Sequence, residues 1–493
     1  MFFQTTTAEK PSEAPSSDTQ RYPPSGIAVL VVGAGPGGLF AALECWRKGH
    51  EVRIIERQTR QSIEGDFMTV GPSVIRHIQK FWPWMAEENE RIVYDPWMSY
   101  HKLTGECIVP PGPFDFGVAG RVAEDGEPGP QRLDRHSRPK FVRMLLTQLE
   151  RLGLKVEYDK YVVDYYEDRE RRKGGAVLHD GERLEADIVI AADGVGTKSH
   201  KLINGEDIKA YSSGMAAFRT AYPVDRILAD RELDERFPAS VNGHPVWETW
   251  AGKGMGVVVL RTHDIISWLV GHRDTGNSEE SWHHTVGPES VLEVVSAIPG
   301  WPEYMNKLIK TAPEGGIVDW KIMWRSPQSN WTSPQGRVVQ LGDSSHTFLP
   351  SSGNGANQAM EDAVSLAACL QIGGASSETV WATKVHNKLR FDRVSCCQLV
   401  GFYNLSHQLN PNWDAAAKDA KAVKPETGRW IWGHNADRYT YENYARALNH
   451  LQSGAPFQNT NIPPGYTLTP WTIEQFLAKI EAGEPVEFSG DWS

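Results

Sequence analysis

The chain has 493 residues, and domains run to roughly 100–200 residues each, so two or three packed units are expected. With 62 acidic residues against 51 basic ones the formal charge is −11, which excludes a general affinity for nucleic acid or acidic membranes, and 40% apolar with 23% charged residues is a globular composition without several membrane spans. The five cysteines include no C-x-x-C pair, so neither a disulfide framework nor a zinc site is signalled; no metal and a reducing, cytosolic compartment are expected.

Residues 1–25 are rich in Ser, Thr and Pro, lack apolar periodicity and carry no secretory signal, so they read as a disordered lead-in. Residues 27–32 form a wholly apolar run suited to a parallel strand buried on both faces. Gly33-Ala34-Gly35-Pro36-Gly37-Gly38 breaks it, Leu39, Leu43 and Trp46 follow at helical spacing, and 52–55 is a second strand ending at Glu56. The glycines at 33, 35 and 38 have distinct tasks: a tight turn, close approach of pyrophosphate to the backbone, and seating of helix on strand. The helix N-terminus then faces the diphosphate, and Glu56 stands where a carboxylate accepts ribose hydroxyls. Strand, glycines, helix, strand and acid together predict dinucleotide binding.

Farther on, 138–149 has helical spacing, 154–158 and 187–191 read as strands, and 211–325 changes to apolar runs between polar turns, predicting a mostly antiparallel sheet. A strand at 337–341 runs into a Gly/Ser/Asn-rich loop and a helix over 356–370, which returns the chain to the first domain. A long helix is predicted over 380–400, with helical patterns at 439–451 and 471–480. The expected fold is α/β: a doubly wound Rossmann-type dinucleotide-binding domain (26–210 and 326–400), an inserted β-rich substrate domain (211–325) and a C-terminal helical extension (401–493).

The cofactor assignment rests on motifs beyond the glycines. Val189-Ile190-Ala191-Ala192-Asp193-Gly194, then Gly342-Asp343-Ser344-Ser345-His346 through Pro350, Gly353, Gly355, Ala356 and Asn357 to Glu361-Asp362-Ala363, resemble the single-component FAD monooxygenases of the p-hydroxybenzoate hydroxylase fold. More narrowly, the chain is similar to the fungal members that tailor polyketides, alkaloids and meroterpenoids. The resemblance implies FAD as cofactor, NADPH or NADH as transient co-substrate, and O₂. It further implies a flavin C4a-hydroperoxide that hydroxylates or epoxidises a medium-sized secondary metabolite. A flavin oxidase, or a flavin-binding module without oxygen transfer, is the alternative. No second complete G-x-G-x-x-G unit exists, since Gly252, Gly254 and Gly256 precede no apolar helix. By resemblance, Asp193 belongs to the flavin motifs and Arg138 reaches the flavin phosphate or ring, with Arg143 the weaker candidate or a solvated helix face. Asp343 is placed for the ribityl chain, and Gly355 and Ala356 open a helix towards the flavin pyrimidine. One departure stands out: where the family has Ser and then Arg after Asp193-Gly194, this chain has Thr197 and His200, which removes a fixed charge.

Catalytic candidates come from the inserted sheet and the loop after Glu56. Arg219 in an apolar strand is either an interdomain salt bridge or a group acting on substrate or peroxyflavin. Tyr222 is either a hydrogen-bond donor to a phenolate or carbonyl, or an amphipathic strand-edge residue. Asp66 is either a general acid or one half of a turn-forming Gly-Asp pair. His283 and His284 lack a third ligand and read as structural. Trp82-Pro83-Trp84 lacks the Ile-Pro of the flavin halogenases. The 18 tryptophans are core residues or walls of an apolar pocket.

Overall fold

The runs read as buried strands pair into one five-stranded parallel sheet, in the order Val338–Gln340, Ile188–Ala191, Ala28–Val32, Glu51–Ile55, Val156–Glu157. Its central strand has no polar side chain, because both faces are covered: Leu30 and Val31 are 1% and 0% exposed. On one face lie the helices Pro36–Arg47, Arg138–Arg151 and Gly355–Gly373, packed through Leu39, Phe40, Leu43, Phe141 and Met360. On the other lies a three-stranded antiparallel sheet, Val162–Asp168, Lys173–Leu178 and Arg183–Ala186, which meets Leu30, Val32 and Val189. Burying each large aliphatic side chain contributes roughly 1.5–3 kcal/mol, which ties sheet and layers into one core. This computed structural model describes residues 19–61, 65–114, 132–374, 379–424 and 428–492.

A second sheet of eight strands stands against this unit. Its order is Thr285–Val286, Ile317–Trp324, Tyr211–Pro223, Ile265–Arg273, Met255–Arg261, Val246–Gly252, Trp97–Lys102 and Cys107–Gly112. The last two strands come from residues expected in the first FAD-binding segment. They pair there because Val246–Gly252 would otherwise be an open edge, and Trp97–Lys102 satisfies it in parallel register, Trp247 opposite Met98. The back of the sheet is closed by helices Pro288–Ser296 and Glu303–Lys310 over Phe218, Trp250, Trp268 and Val270.

Of the expected lead-in, residues 1–18 lie outside the described residues, whereas 19–25 run along the end of helix Pro36–Arg47. The Tyr22 N–H donates to the Arg47 carbonyl at 2.8 Å and Arg21 Nε to the Trp46 carbonyl at 3.0 Å. These bonds fix a stretch read as disordered, because they cap carbonyls that the helix leaves free.

The 31-residue helix Thr379–Leu409 joins the FAD unit to the C-terminal part, whose aromatic core includes Trp324, Phe402, Trp430, Trp471 and Trp492. The join is polar and fully buried. Arg390 and Arg393 reach Glu361 at 2.8 Å each, Arg390 also holds Asp362, and Arg393 donates to the carbonyls of Trp430 and Ile431. The arginines hold the Glu361 carboxyl well below its ordinary range despite complete burial. Among the described residues no helix is long and apolar enough to cross a membrane.

Candidate active site

A cavity of about 1130 Å³ opens between the parallel sheet and the eight-stranded sheet. This exceeds the roughly 300–1,000 Å³ of ordinary small-molecule sites, so it has room for two ligands side by side.

One end is built by the glycine turn. Gly33 has φ +107°, and a Cβ there would stand 2.4 Å from the Ala192 carbonyl oxygen; one on Gly38 would stand 2.0 Å from that of Gly33. A Cβ on Gly35, by contrast, would meet nothing within 4 Å. The first and third glycines are therefore required by packing, and the second leaves open space in front of the helix N-terminus, where no side chain caps the N–H groups. That is the arrangement a diphosphate fits. The Glu56 carboxylate accepts the N–H of Ala34 at 2.8 Å and of Gln58 at 2.9 Å. Each oxygen keeps a lone pair for a ribose hydroxyl.

The middle of the cavity carries Arg138, Asp343, Gly355 and Ala356. Asp343 is open to the cavity but withdrawn from bulk water, which raises its pKa against the pull of His346, Arg138 and Arg325. Gly355–Gly373 starts without a side-chain cap, so its first N–H groups remain available to an anionic ring. Asn357 turns the other way: its Oδ1 accepts the Gly71 N–H at 2.9 Å and its Nδ2 donates to Ser73, which anchors the facing loop. These residues fit a flavin dinucleotide along their whole length.

Asp193 contributes differently from expectation. It borders the cavity, but its carboxylate receives Tyr165 Oη at 2.7 Å and Ser344 Oγ at 3.2 Å, so it positions the loop before Ser345 rather than facing a cofactor directly. Thr197 and His200 are buried behind the same loop. Thr197 bonds Ser199, and His200 bonds Asn204 and Gln340, its pKa pushed down to about 4 by burial. The missing charge is thus replaced by a neutral, packed imidazole. Arg143 lies on the exposed helix face.

At the other end the two charged catalytic candidates meet each other. Arg219 Nε donates to Asp66 Oδ2 at 2.8 Å and Nη2 donates to Oδ1, a bidentate pair between the eight-stranded sheet and the loop after Glu56. The guanidinium also lies over the indoles of Trp282, at 4.9 Å, and Trp320, at 5.8 Å. Both partners line the cavity, so the salt bridge expected as one alternative is formed inside the site. Tyr222 does not join them. It is three residues from Arg219 on the strand Tyr211–Pro223, and side chains alternate between faces, so an odd separation puts it on the back. There its hydroxyl bonds Thr311 Oγ1 at 2.7 Å within the helix-covered core. The reading of Tyr222 as a substrate donor is corrected accordingly.

His283 lines the cavity beside Trp282, whereas His284 Nδ1 faces Glu279 at 3.9 Å. Glu280, in the same connection, had no sequence signal, because it sits in a polar stretch without periodicity. It opens into the cavity, and its carboxyl is pushed up to about 7, first by withdrawal from bulk water and then by Asp343. Arg57 and Arg325 oppose that shift.

The comparisons agree with this geometry. Residues 26–81 and 116–380 match the FAD binding domain family. The FAD-dependent monooxygenase dmxR9 of Cryptosporiopsis sp. (strain 8999) is 43% identical over 96% of this chain and 91% of its own length. The FAD-dependent monooxygenase fsr3 of Gibberella fujikuroi is 42% identical over the same shares. Among solved structures, FqzB superposes with a TM-score of 0.78 at 27% identity, covering 90% of this chain and 98% of that one. CtdE in complex with FAD and a substrate has the same fold, with a TM-score of 0.76 at 24% identity over 87% of this chain and 100% of that one. Glycine turn, acid, cavity and relatives converge: the chain belongs to the FAD-dependent monooxygenases of the p-hydroxybenzoate hydroxylase-like family.

Proposed function

We propose that this enzyme uses NADPH or NADH and O₂ to place one oxygen atom on a medium-sized secondary metabolite, by hydroxylation of an aromatic ring or epoxidation of a double bond. The observation that carries the reading is a single cavity with two chemically different ends. One end has the glycines, Glu56 and Asp343; the other is walled by Trp247, Trp282, Trp320, Val258, Leu260 and Leu269. FAD bound in the cradle supplies hydride acceptance and oxygen activation.

The chain's own groups have four tasks. The open N-terminus of Gly355–Gly373 favours negative charge on the reduced ring system. The indoles and aliphatic side chains exclude water and hold an apolar substrate. Arg219, resting on Asp66 and on two indole faces, parks one positive charge between cradle and substrate until a substrate draws it away. Asp66 is available to move a proton at Oδ1 or Oδ2 only when Arg219 swings to substrate, which makes the pair a gated acid. Action in the cytosol follows the same proposal, since reduced nicotinamides are supplied there.

The test is an absorbance spectrum of the purified protein followed by NADPH and NADH oxidation, with peroxide measured, against phenols, indoles and polyenes. Bound FAD, substrate-accelerated oxidation and little peroxide are expected. Stoichiometric peroxide with every compound would instead assign an oxidase, and protein that FAD fails to reconstitute would remove the reading altogether.

A further inference from the structure

Strand Asp134–Ser137 pairs with Phe67–Val70 and sets Arg135 opposite Thr69, both on the cavity wall. Arg135 is 7% exposed. A guanidinium so withdrawn from water is ordinarily paired, as buried Arg47, Arg390 and Arg393 are with carboxylates here. Arg135 forms no ion pair with any described residue, and its Nε and Nη1 have no hydrogen-bond partner among them. The neighbouring carboxylate in the strand is already committed: Asp134 takes Arg132 Nε at 2.8 Å and Asn89 Nδ2 at 3.0 Å.

What holds Arg135 instead is a ring. Its guanidinium carbon stands 4.7 Å from the centre of the Trp247 indole, a cation–π contact that holds the charge without occupying its N–H groups. Trp247 and Tyr100 belong to adjacent strands of the eight-stranded sheet, and both line the substrate end of the cavity. Burial pushes the Arg135 pKa down to about 10, so the charge persists at neutral pH. A pre-oriented cation with unused donors, in an apolar compartment, lowers stability unless an anion arrives.

We propose that Arg135 is the substrate-recognition residue of this compartment, its free N–H groups binding two neighbouring oxygens that share one negative charge on an aromatic substrate. The chemistry is that of an aryl carboxylate or of an ionised ring hydroxyl beside a carbonyl. The proposal rests on reading this end of the cavity as the substrate site, and it gives that site a charge preference. Trp247 aligns the cation, and the substrate ring takes the remaining apolar wall.

The test uses oxidised, FAD-loaded protein without NAD(P)H, so that a failure of turnover and a failure of recognition are separate results. Two charged and neutral pairs are titrated by flavin absorbance and tryptophan fluorescence: naphthoate against the isosteric naphthamide, and lawsone, ionised at neutral pH, against its neutral methyl ether. The anionic member of at least one pair is expected to bind on the order of tenfold to a hundredfold more tightly, and the pair that discriminates names the source of the anion. Arg135→Met should abolish the preference and leave the neutral probes and the FAD content unchanged, while Arg135→Lys retains part of it. Because Met removes an unpaired buried charge, FAD-free Arg135→Met should also unfold at a higher temperature than the wild type. Equal binding of charged and neutral probes by the wild type would overturn the proposal. So would an Arg135→Met protein that unfolds at a lower temperature or loses FAD, since the cation would then be structural.

Discussion

The bidentate contact between Arg219 and Asp66 joins the two halves of the site, and its strength can be read from a double-mutant cycle. The side chains are 18% and 9% exposed. Two unit charges about 4 Å apart attract by about 4 kcal/mol at an effective dielectric of 20, and desolvation of both returns much of that. Removing one partner leaves the other's charge largely shielded from water, so Arg219→Met and Asp66→Ala should each cost about 2–3 kcal/mol. Met keeps the apolar stem against Trp282 and Trp320, which confines the change to the charge. The double variant has no stranded charge and should fall short of the summed losses by about 1.5–2 kcal/mol. Urea unfolding of the FAD-free protein, followed by tryptophan fluorescence, measures all four corners. Losses that add to within about 0.5 kcal/mol would refute the contact, and the gated-acid role of Asp66 with it.

The glycine turn offers a matched pair of substitutions. Gly38→Ala would drive a Cβ to 2.0 Å from the Gly33 carbonyl oxygen, so both fold and FAD affinity should suffer, whereas Gly35→Ala meets no protein atom within 4 Å and should weaken FAD binding, by at least about tenfold, at unchanged FAD-free stability; equal effects of the two on stability would contradict the assignment of their tasks. For Glu280, withdrawal from bulk water inside the cavity, followed by the charge of Asp343, lifts the carboxyl from 4.5 to about 7, so the folded state binds the proton more tightly than the unfolded chain. Its contribution is fully present below pH 4.5 and is lost as pH rises through about 7. In FAD-free protein, the melting temperature of Glu280→Gln relative to wild type should therefore climb across that window, and parallel curves would show that Glu280 is not withdrawn from water. Tyr222→Phe removes the hydroxyl that bonds Thr311 and the Leu308 carbonyl and accepts from Trp268 Nε1 on the back of the sheet and should cost about 1–3 kcal/mol with substrate-dependent NAD(P)H oxidation unchanged; a selective loss of that oxidation would restore Tyr222 to the site.

The cofactor end was legible because its chemistry is local. A dinucleotide turn needs three glycines, a helix start and an acid within about 25 residues, and the turn's steric demands at Gly33 and Gly38 are the ones the spacing implies. The substrate end depends on contacts that cross the chain. Asp66 and Arg219 are 153 residues apart, and nothing in either segment announces the other. The placing of Trp97–Lys102, and of Cys107–Gly112 that pairs with it, is hidden for the same reason: the edge that Trp97–Lys102 satisfies lies at Val246–Gly252, far along the sequence.

Tyr222 is a different kind of miss, since the information was present. If Arg219 faces the cavity from its strand, period-two alternation excludes a residue three positions on. The same parity rule run forward from Trp247 selects Thr249 on its own strand, and both line the cavity. Parity does not reach Arg135, however. A buried cation is identified by what surrounds it: Arg135 is buried and has no ion-pair partner among the described residues, whereas the more exposed Arg132, three residues away, is bound to Asp134 and Glu90. Residue type sets the charge; the fold decides which charges are paired, and the guanidinium of Arg135, without an ion pair among the described residues and set on an indole face, is where substrate selection is to be sought.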